Sequence, residues 1–220
     1  GASTKATGDN STAFGILCES KGEFATSLGY NNRASNQGSL ATGMITRAQA
    51  WYSSTFGVGT VSNGYSGMVV GLYNDTSTSV QTYPTDETPL FVVGNGVNDL
   101  IRSNAMVVQQ NGNVGIGAST PKSKFVLNGA LGLKLNKDAT IGGSVTLNNT
   151  SSVWYFTGTA TITLPSASLC DNRVYTLVNR SGSARSISPY TTLTGIVNTS
   201  ISANSSIEII SDGTNWLQLR

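Results

Sequence analysis

Glycine recurs every 14 residues through the first third of the chain, at Gly1, Gly15, Gly29, Gly43, Gly57 and Gly71. A fixed period of this kind constrains the fold more than any other feature of a sequence. Two residues before the later glycines stand Ala13, Ser27, Ala41, Thr55 and Val69; four before stand Ser11, Ala25, Ser39, Ser53 and Gly67. Bulkier residues flank the glycine: Phe14, Leu28, Phe56 and Val70 before it, and Ile16, Tyr30, Met44, Val58 and Leu72 after it. Fourteen residues are too few for a helical hairpin. They fit one coil of a β-solenoid, with two short strands, two turns and a glycine at a turn that needs positive φ. The small residues at alternate positions then face a crowded interior. Each such coil buries little, so several must stack, and association between chains supplies burial that one chain lacks.

The stretch Gly29-Tyr-Asn-Asn-Arg-Ala-Ser-Asn-Gln-Gly-Ser-Leu-Ala-Thr-Gly43 resembles the head repeats of trimeric autotransporter adhesins. The resemblance covers residues 1–73 and implies a left-handed parallel β-roll with three chains around one axis. Trp51 and Tyr52 depart from the small polar residues of that pattern, and Val69 stands where alanine is usual. The regular roll is therefore expected to end near Leu72.

Residues 74–143 read as a β-rich connector and neck. The polar stretch from Asn74 to Thr88, ending with Pro84 and Pro89, is a loop or an extended connection. Leu90 to Val93 and Ala105 to Val108 are strand-like, with turn signals at Asn95-Gly96 and Asn111-Gly112. The run through Asn113-Val-Gly-Ile-Gly117 to Pro121 resembles a structural signature of Bacteroidetes and phage fibres that closes a β-roll. Gly115-Ile-Gly117 is not a dinucleotide fingerprint, because the third glycine and the following helix are missing. Leu131, Leu133 and Leu135 repeat with period 2, which is not helical.

Residues 144–220 form the third expected module. Strand candidates are 144–147, 153–157, 161–164, 173–179, 186–188, 207–211 and 216–219. Turn residues such as Asp212-Gly213 separate them, a pattern that fits a small antiparallel β-sandwich. Thr163-Leu-Pro-Ser-Ala, Arg173-Val-Tyr-Thr-Leu-Val-Asn179 and the run from Ile207 to Trp216 resemble the C-terminal knob of phage and Bacteroidetes fibres. The resemblance implies that the C-terminus is the natural one; Gly1 starts in mid-register without a methionine, so more fibre is expected before it.

Composition narrows the chemistry. The chain has 220 residues, a net charge of +2, two cysteines and no histidine. Serine, threonine, asparagine and glycine make up nearly half of it. Charged residues are 11%, against about a quarter in ordinary domains. A histidine triad, a histidine metal site and a histidine pH switch are excluded. The small net charge argues against nucleic acid as a partner, and the apolar runs fall far short of the roughly 20 residues that span a bilayer. Cys18 and Cys170 fall in different modules and read as buried free thiols. Asp75, Asp86 and Glu87 lie in a polar loop and read as solvated acids. No cofactor and no metal are expected.

Aromatic and cationic residues beside polar loops are the usual equipment for gripping sugars or proteins. Trp51, Tyr52, Arg180, Arg185 and Tyr190 are the receptor-binding candidates; Trp154, Tyr155, Tyr175 and Trp216 are assigned to the knob core. The expected molecule is thus an all-β homotrimeric fibre and not an enzyme. It would be the distal part of a phage-tail or injection-system fibre, or a bacterial surface adhesin. Its partners would be fibre-shaft or baseplate proteins and a cell-surface glycan or protein, in an extracellular setting. A passive spacer and a fibre-borne glycan hydrolase are the alternatives.

Overall fold

The computed structural model describes residues 2–76 and 79–220, so Gly1 lies outside the described residues. The chain divides into two compact bodies, residues 1–130 and 131–220. The boundary falls inside the expected connector, whose first part belongs to one body and whose last part belongs to the other.

The first body opens with five coils. Each contains a two-residue and a five-residue strand: β1 (Lys5–Ala6) and β2 (Thr12–Ile16), β3 (Glu19–Ser20) and β4 (Thr26–Tyr30), β5 (Arg33–Ala34) and β6 (Leu40–Met44), β7 (Arg47–Ala48) and β8 (Ser54–Val58), β9 (Val61–Ser62) and β10 (Met68–Leu72). The short strands stack into one parallel sheet and the long strands into another. Register is set by the period, so Gly15, Gly29, Gly43, Gly57 and Gly71 lie opposite one another.

The glycines do not occupy turns. Each is the fourth residue of a long strand, with φ between +102° and +122°. A Cβ built on Gly15, Gly29, Gly43 or Gly57 would lie 1.9 to 2.2 Å from the carbonyl oxygen of the glycine in the next coil. Only glycine can lie this close to the next backbone. The left-handed turns lie elsewhere, in two columns that also repeat every 14 residues. One column is Asn10, Phe24, Gly38, Tyr52 and Ser66; the other is Ser3, Leu17, Asn31, Ile45, Gly59 and Tyr73. Several of these are bulky residues, for which the left-handed region costs about 1–2 kcal/mol.

The interior is thin and tightly filled. Ala25, Ala34, Ala41 and Ala48 are fully buried and form one cluster. Beside them runs a polar column. Thr4 Oγ1 donates to Gly15 O at 2.8 Å, Cys18 Sγ to Gly29 O at 3.2 Å and Asn32 Nδ2 to Gly43 O at 2.7 Å. These bonds satisfy glycine carbonyls inside the roll, where an unpaired carbonyl would be costly. Cys18 is one rung of this column, and both cysteines are buried and free.

The roll continues beyond Leu72. The step from Gly71 to Gly94 is 23 residues instead of 14, and β11 (Pro89–Asn95) still adds in parallel to β10, with Gly94 opposite Gly71. Proline at the first residue of a strand costs no ladder bond that matters. Next, β12 (Asn104–Gln109) and β13 (Val114–Ile116) add antiparallel, and β14 (Phe125–Leu127) adds parallel to β13. One nine-stranded sheet therefore joins the roll to the first part of the connector. Its inner residues change from alanine to Val69, Val92 and Val107 at this end.

The second body is not an antiparallel sandwich. It contains β15 (Leu135–Asp138), β16 (Ser144–Thr146), β17 (Val153–Phe156), β18 (Thr161–Thr163), β19 (Val174–Asn179), β20 (Arg185–Thr191), β21 (Val197–Ile201), β22 (Ser205–Ser211) and β23 (Trp216–Gln218). Two parallel arms, β15-β17-β19 and β16-β18-β20, repeat the winding of the roll. Only β19–β22, β22–β23 and β20–β21 pair antiparallel, and β23 also meets β20 in parallel. Strand lengths and turn residues show where strands end but not which strands pair. Both arms feed one core: Trp154, Phe156 and Leu177 come from one, Ile162, Ile187 and Tyr190 from the other. Among the described residues the only helical element is a 3₁₀ turn at Ala167–Leu169.

Arg185 holds this core together from inside. It is 2% exposed, donates to the carbonyls of Gly158 and Ala160, and places its guanidinium over the Phe156 ring, 5.1 Å from the centroid. Burial pushes its pKa below the usual arginine value, and Asp138 opposes that shift.

Two substitutions test these contacts. Gly43→Ala is expected to cost at least about 3 kcal/mol, because strain and a backbone clash coincide. Arg185→Lys is expected to cost about 2–3 kcal/mol, since a lysine cannot serve two carbonyls as the planar fork does. Both are read from urea unfolding midpoints.

Candidate binding surfaces

Stacking turns sequence distance into contact: residues 14 apart become neighbours about 4.8 Å apart. One corner of the roll uses this to build an aromatic cluster. Glu23, Gln37, Trp51 and Tyr65 share one column; Phe24, Gly38, Tyr52 and Ser66 share the next. Tyr52 lies edge-on to Trp51, with centroids 6.4 Å apart at 85°, and edge-on to Tyr65, at 5.8 Å and 76°. Its hydroxyl donates to Gln37 Oε1 at 3.1 Å, and Gln37 Nε2 donates to Glu23 Oε2 at 3.0 Å. The Tyr52 ring lies against Gly38, where an added Cβ would meet Cδ1 of that ring at 2.7 Å. Tyr52 is 46% exposed and Trp51 half-buried. The sequence singles out both residues. It does not single out Tyr65, Gln37 and Glu23, although counting in steps of 14 places them in these columns.

The outer faces of the two roll sheets differ in kind. The short strands carry Lys5, Glu19, Arg33 and Arg47, and Glu19 pairs with Lys21 at 3.1 Å and Arg33 at 3.3 Å. Burial, and after it the neighbouring Arg33 charge, lowers the Arg47 pKa. The long-strand sheet has small residues such as Ser27, Ala41 and Thr55 on its inner side and is largely apolar on its outer side. Phe14 is 74% exposed, and Ile16, Tyr30, Met44, Met68 and Leu72 are each at least 40% exposed. The face continues over half-buried Phe91, Val93, Met106 and Ile116 to exposed Phe125. A contiguous exposed apolar surface of this kind marks an interaction face.

The remaining candidates separate. Arg180 is exposed. Arg185 and Tyr190 are not surface residues: they are 2% and 4% exposed, and both sit in β20 instead of in loops. Tyr190 donates its hydroxyl to Ser200 O at 3.0 Å, and burial raises its phenol pKa. The expected core residues Trp154, Tyr175 and Trp216 are buried, while Tyr155 is half-buried.

Three acids have local partners. Glu87 meets Lys122 at 2.7 Å, which lowers its carboxyl pKa. Asp212 accepts from the backbone N–H groups of Asn215 at 2.6 Å and Thr214 at 2.8 Å, which lowers its pKa too. Glu208 pairs with Arg220 at 2.9 Å. Among the described residues, no three His, Cys, Asp or Glu side chains gather where they could hold a metal ion. No helix of the described residues is long and apolar enough to cross a membrane.

The family model of the YadA head domain repeat matches the chain twice, over residues 1–16 and 20–44. No curated protein and no solved structure matches it. The matched residues lie in the first coils of the roll and carry the glycine column described above. The first coils of this β-solenoid are thus similar to YadA head repeats.

Gly38→Ala tests how the aromatic corner is held. The new methyl collides with the Tyr52 ring, and the left-handed φ of +61° penalises alanine. The expected cost is about 1–2 kcal/mol, with a changed near-UV circular dichroism signal from the displaced ring.

Proposed function

We propose that this chain is the distal part of a homotrimeric adhesive fibre that attaches its carrier to a target-cell surface. The observation that carries the reading is the apolar outer face of the nine-stranded sheet, next to a charged outer face on the other roll sheet. A chain with Phe14, Ile16, Tyr30, Met44 and Leu72 in one exposed face gains most by turning that face towards copies of itself. The head-repeat match supports three copies around an axis, and the charged sheet suits the solvent side. A surface-exposed, extracellular position agrees with both.

Attachment then falls to groups outside the trimer contact. The Trp51–Tyr52–Tyr65 corner joins aromatic edges to the Gln37 amide, which suits a cell-surface glycan or protein, and Arg180 is an exposed cation on the second body. Three copies per fibre raise the avidity of a weak site without any new contact. A phage tail or a contractile injection system is the carrier we favour; a bacterial surface is the other. Baseplate or shaft proteins would hold the other end of the fibre.

Solution mass tests the assembly. Light scattering should give three times the 22.9 kDa of one chain. Phe14→Glu combined with Tyr30→Glu should shift it to the monomer. A wild-type monomer would overturn the trimer. Labelled trimer should bind a panel of bacterial cells and lose at least tenfold in binding with Trp51→Ala and Tyr52→Ala together. A chain that binds no cell would be a spacer, and polysaccharide breakdown would mark an enzyme.

A further inference from the structure

The second body contains a cleft of about 250 Å³, lined by no residue of the aromatic corner or of the apolar roll face. Tyr190 and Trp216 line it, between Pro165 and Pro189. The polar ends of both rings are already engaged. The Trp216 indole N–H donates to Pro165 O at 2.9 Å, and the Tyr190 hydroxyl bonds Ser200 O and accepts from Asn198 at 3.0 Å. Behind the cleft, Trp216 stacks on Tyr175, with centroids 5.3 Å apart and planes at 30°. Both rings are therefore fixed, but only 4% of Tyr190 and 5% of Trp216 is exposed, so most of the carbon surface in the cleft comes from exposed Pro189 and Val197.

The rim is the reverse. Ser166, Thr191, Thr214 and Asn215 bring hydroxyl and amide groups, with Ser166, Thr214 and Asn215 exposed. No lining residue is charged. A site of this make-up suits a neutral ligand that has an apolar face and a ring of hydroxyls. The volume lies just below the roughly 300–1,000 Å³ of pockets for drug-sized ligands, enough for one ring and not for a chain of them. A proline-rich peptide, the other common ligand of aromatic clefts, needs an extended groove to seat several residues.

We propose that this cleft binds a single neutral pyranose, such as the terminal sugar of a surface glycan. The pyranose C–H face would pack on Pro189 and Val197, beside the small exposed parts of Tyr190 and Trp216, and its hydroxyls would meet Asn215, Thr214 and Ser166. The inference rests on the receptor-binding reading above and gives it a second site with a defined ligand class.

The test uses the full chain with the methyl glycosides of glucose, galactose, mannose, fucose, rhamnose, N-acetylglucosamine and N-acetylgalactosamine. Binding is followed by saturation-transfer NMR and by the fluorescence of Trp216 and its neighbours. At least one glycoside should bind. Asn215→Trp and Ser166→Trp fill the cleft from exposed rim positions and should weaken that binding tenfold or more. Ala184→Trp, exposed and outside the cleft, should leave it unchanged. Near-UV circular dichroism checks that each variant is folded. The cleft assignment falls if no glycoside binds, if both filled variants bind as the parent does, or if the cleft takes a polyproline peptide and no sugar. Cell attachment is scored separately. If the chain attaches to cells but binds no glycoside, this inference fails and the receptor reading stands. If it binds a glycoside through the cleft but attaches to no cell, the receptor reading fails and the sugar site stands.

Discussion

The missing Cβ of one glycine per coil is the constraint on which the roll depends. Each glycine carbonyl sits about 2 Å from where the next-lower glycine would carry a methyl group, so coils stack at backbone contact distance along that column. The tight approach fills the interior mainly with small side chains such as alanine, serine and threonine. It also turns glycine carbonyls into the core, where the Thr4, Cys18 and Asn32 side chains bond them. With an interior this thin, large apolar side chains have no place but the outside of the sheet. The apolar outer face thus results from the same glycine that permits the stack.

Much of this fold was legible because a period is a strong signal. The columns of small residues and their alternation with larger ones predicted coils, strands and a crowded core. The role of the glycine was misread for a physical reason: a turn and a glycine approached by the next backbone both require positive φ, and the spacing alone does not separate them. The 14-residue period stops at Leu72, and the sequence does not show that β11 resumes the stack after that break. In the second body all seven strand candidates correspond to strands. Their pairing was not legible, since short strands between turns serve parallel winding and antiparallel hairpins equally well.

Site residues were legible in proportion to how local their signal was. Trp51 and Tyr52 broke a regular pattern, and they meet at an exposed corner. The burial of Arg185 and Tyr190 was not legible because Ser181-Gly-Ser183 and Pro189 read as loop signals. The structure places Pro189 inside β20, at an irregularity in its pairing with β21, which is where a strand tolerates proline. What looked like an exposed loop is a strand whose side chains enter the core.

The in-register columns also set how such a molecule changes length. Removing or duplicating one whole coil leaves every remaining residue in its column, with the glycine over glycine, the charged face outward and the apolar face continuous. An insertion of any other size within a coil rotates the later coils out of phase unless the next strand re-enters the column, as β11 does beside β10. The roll is thus a ruler graduated in steps of 14 residues and about 4.8 Å. Variation in its reach is quantised, and the surface it offers to a partner lengthens without being redesigned.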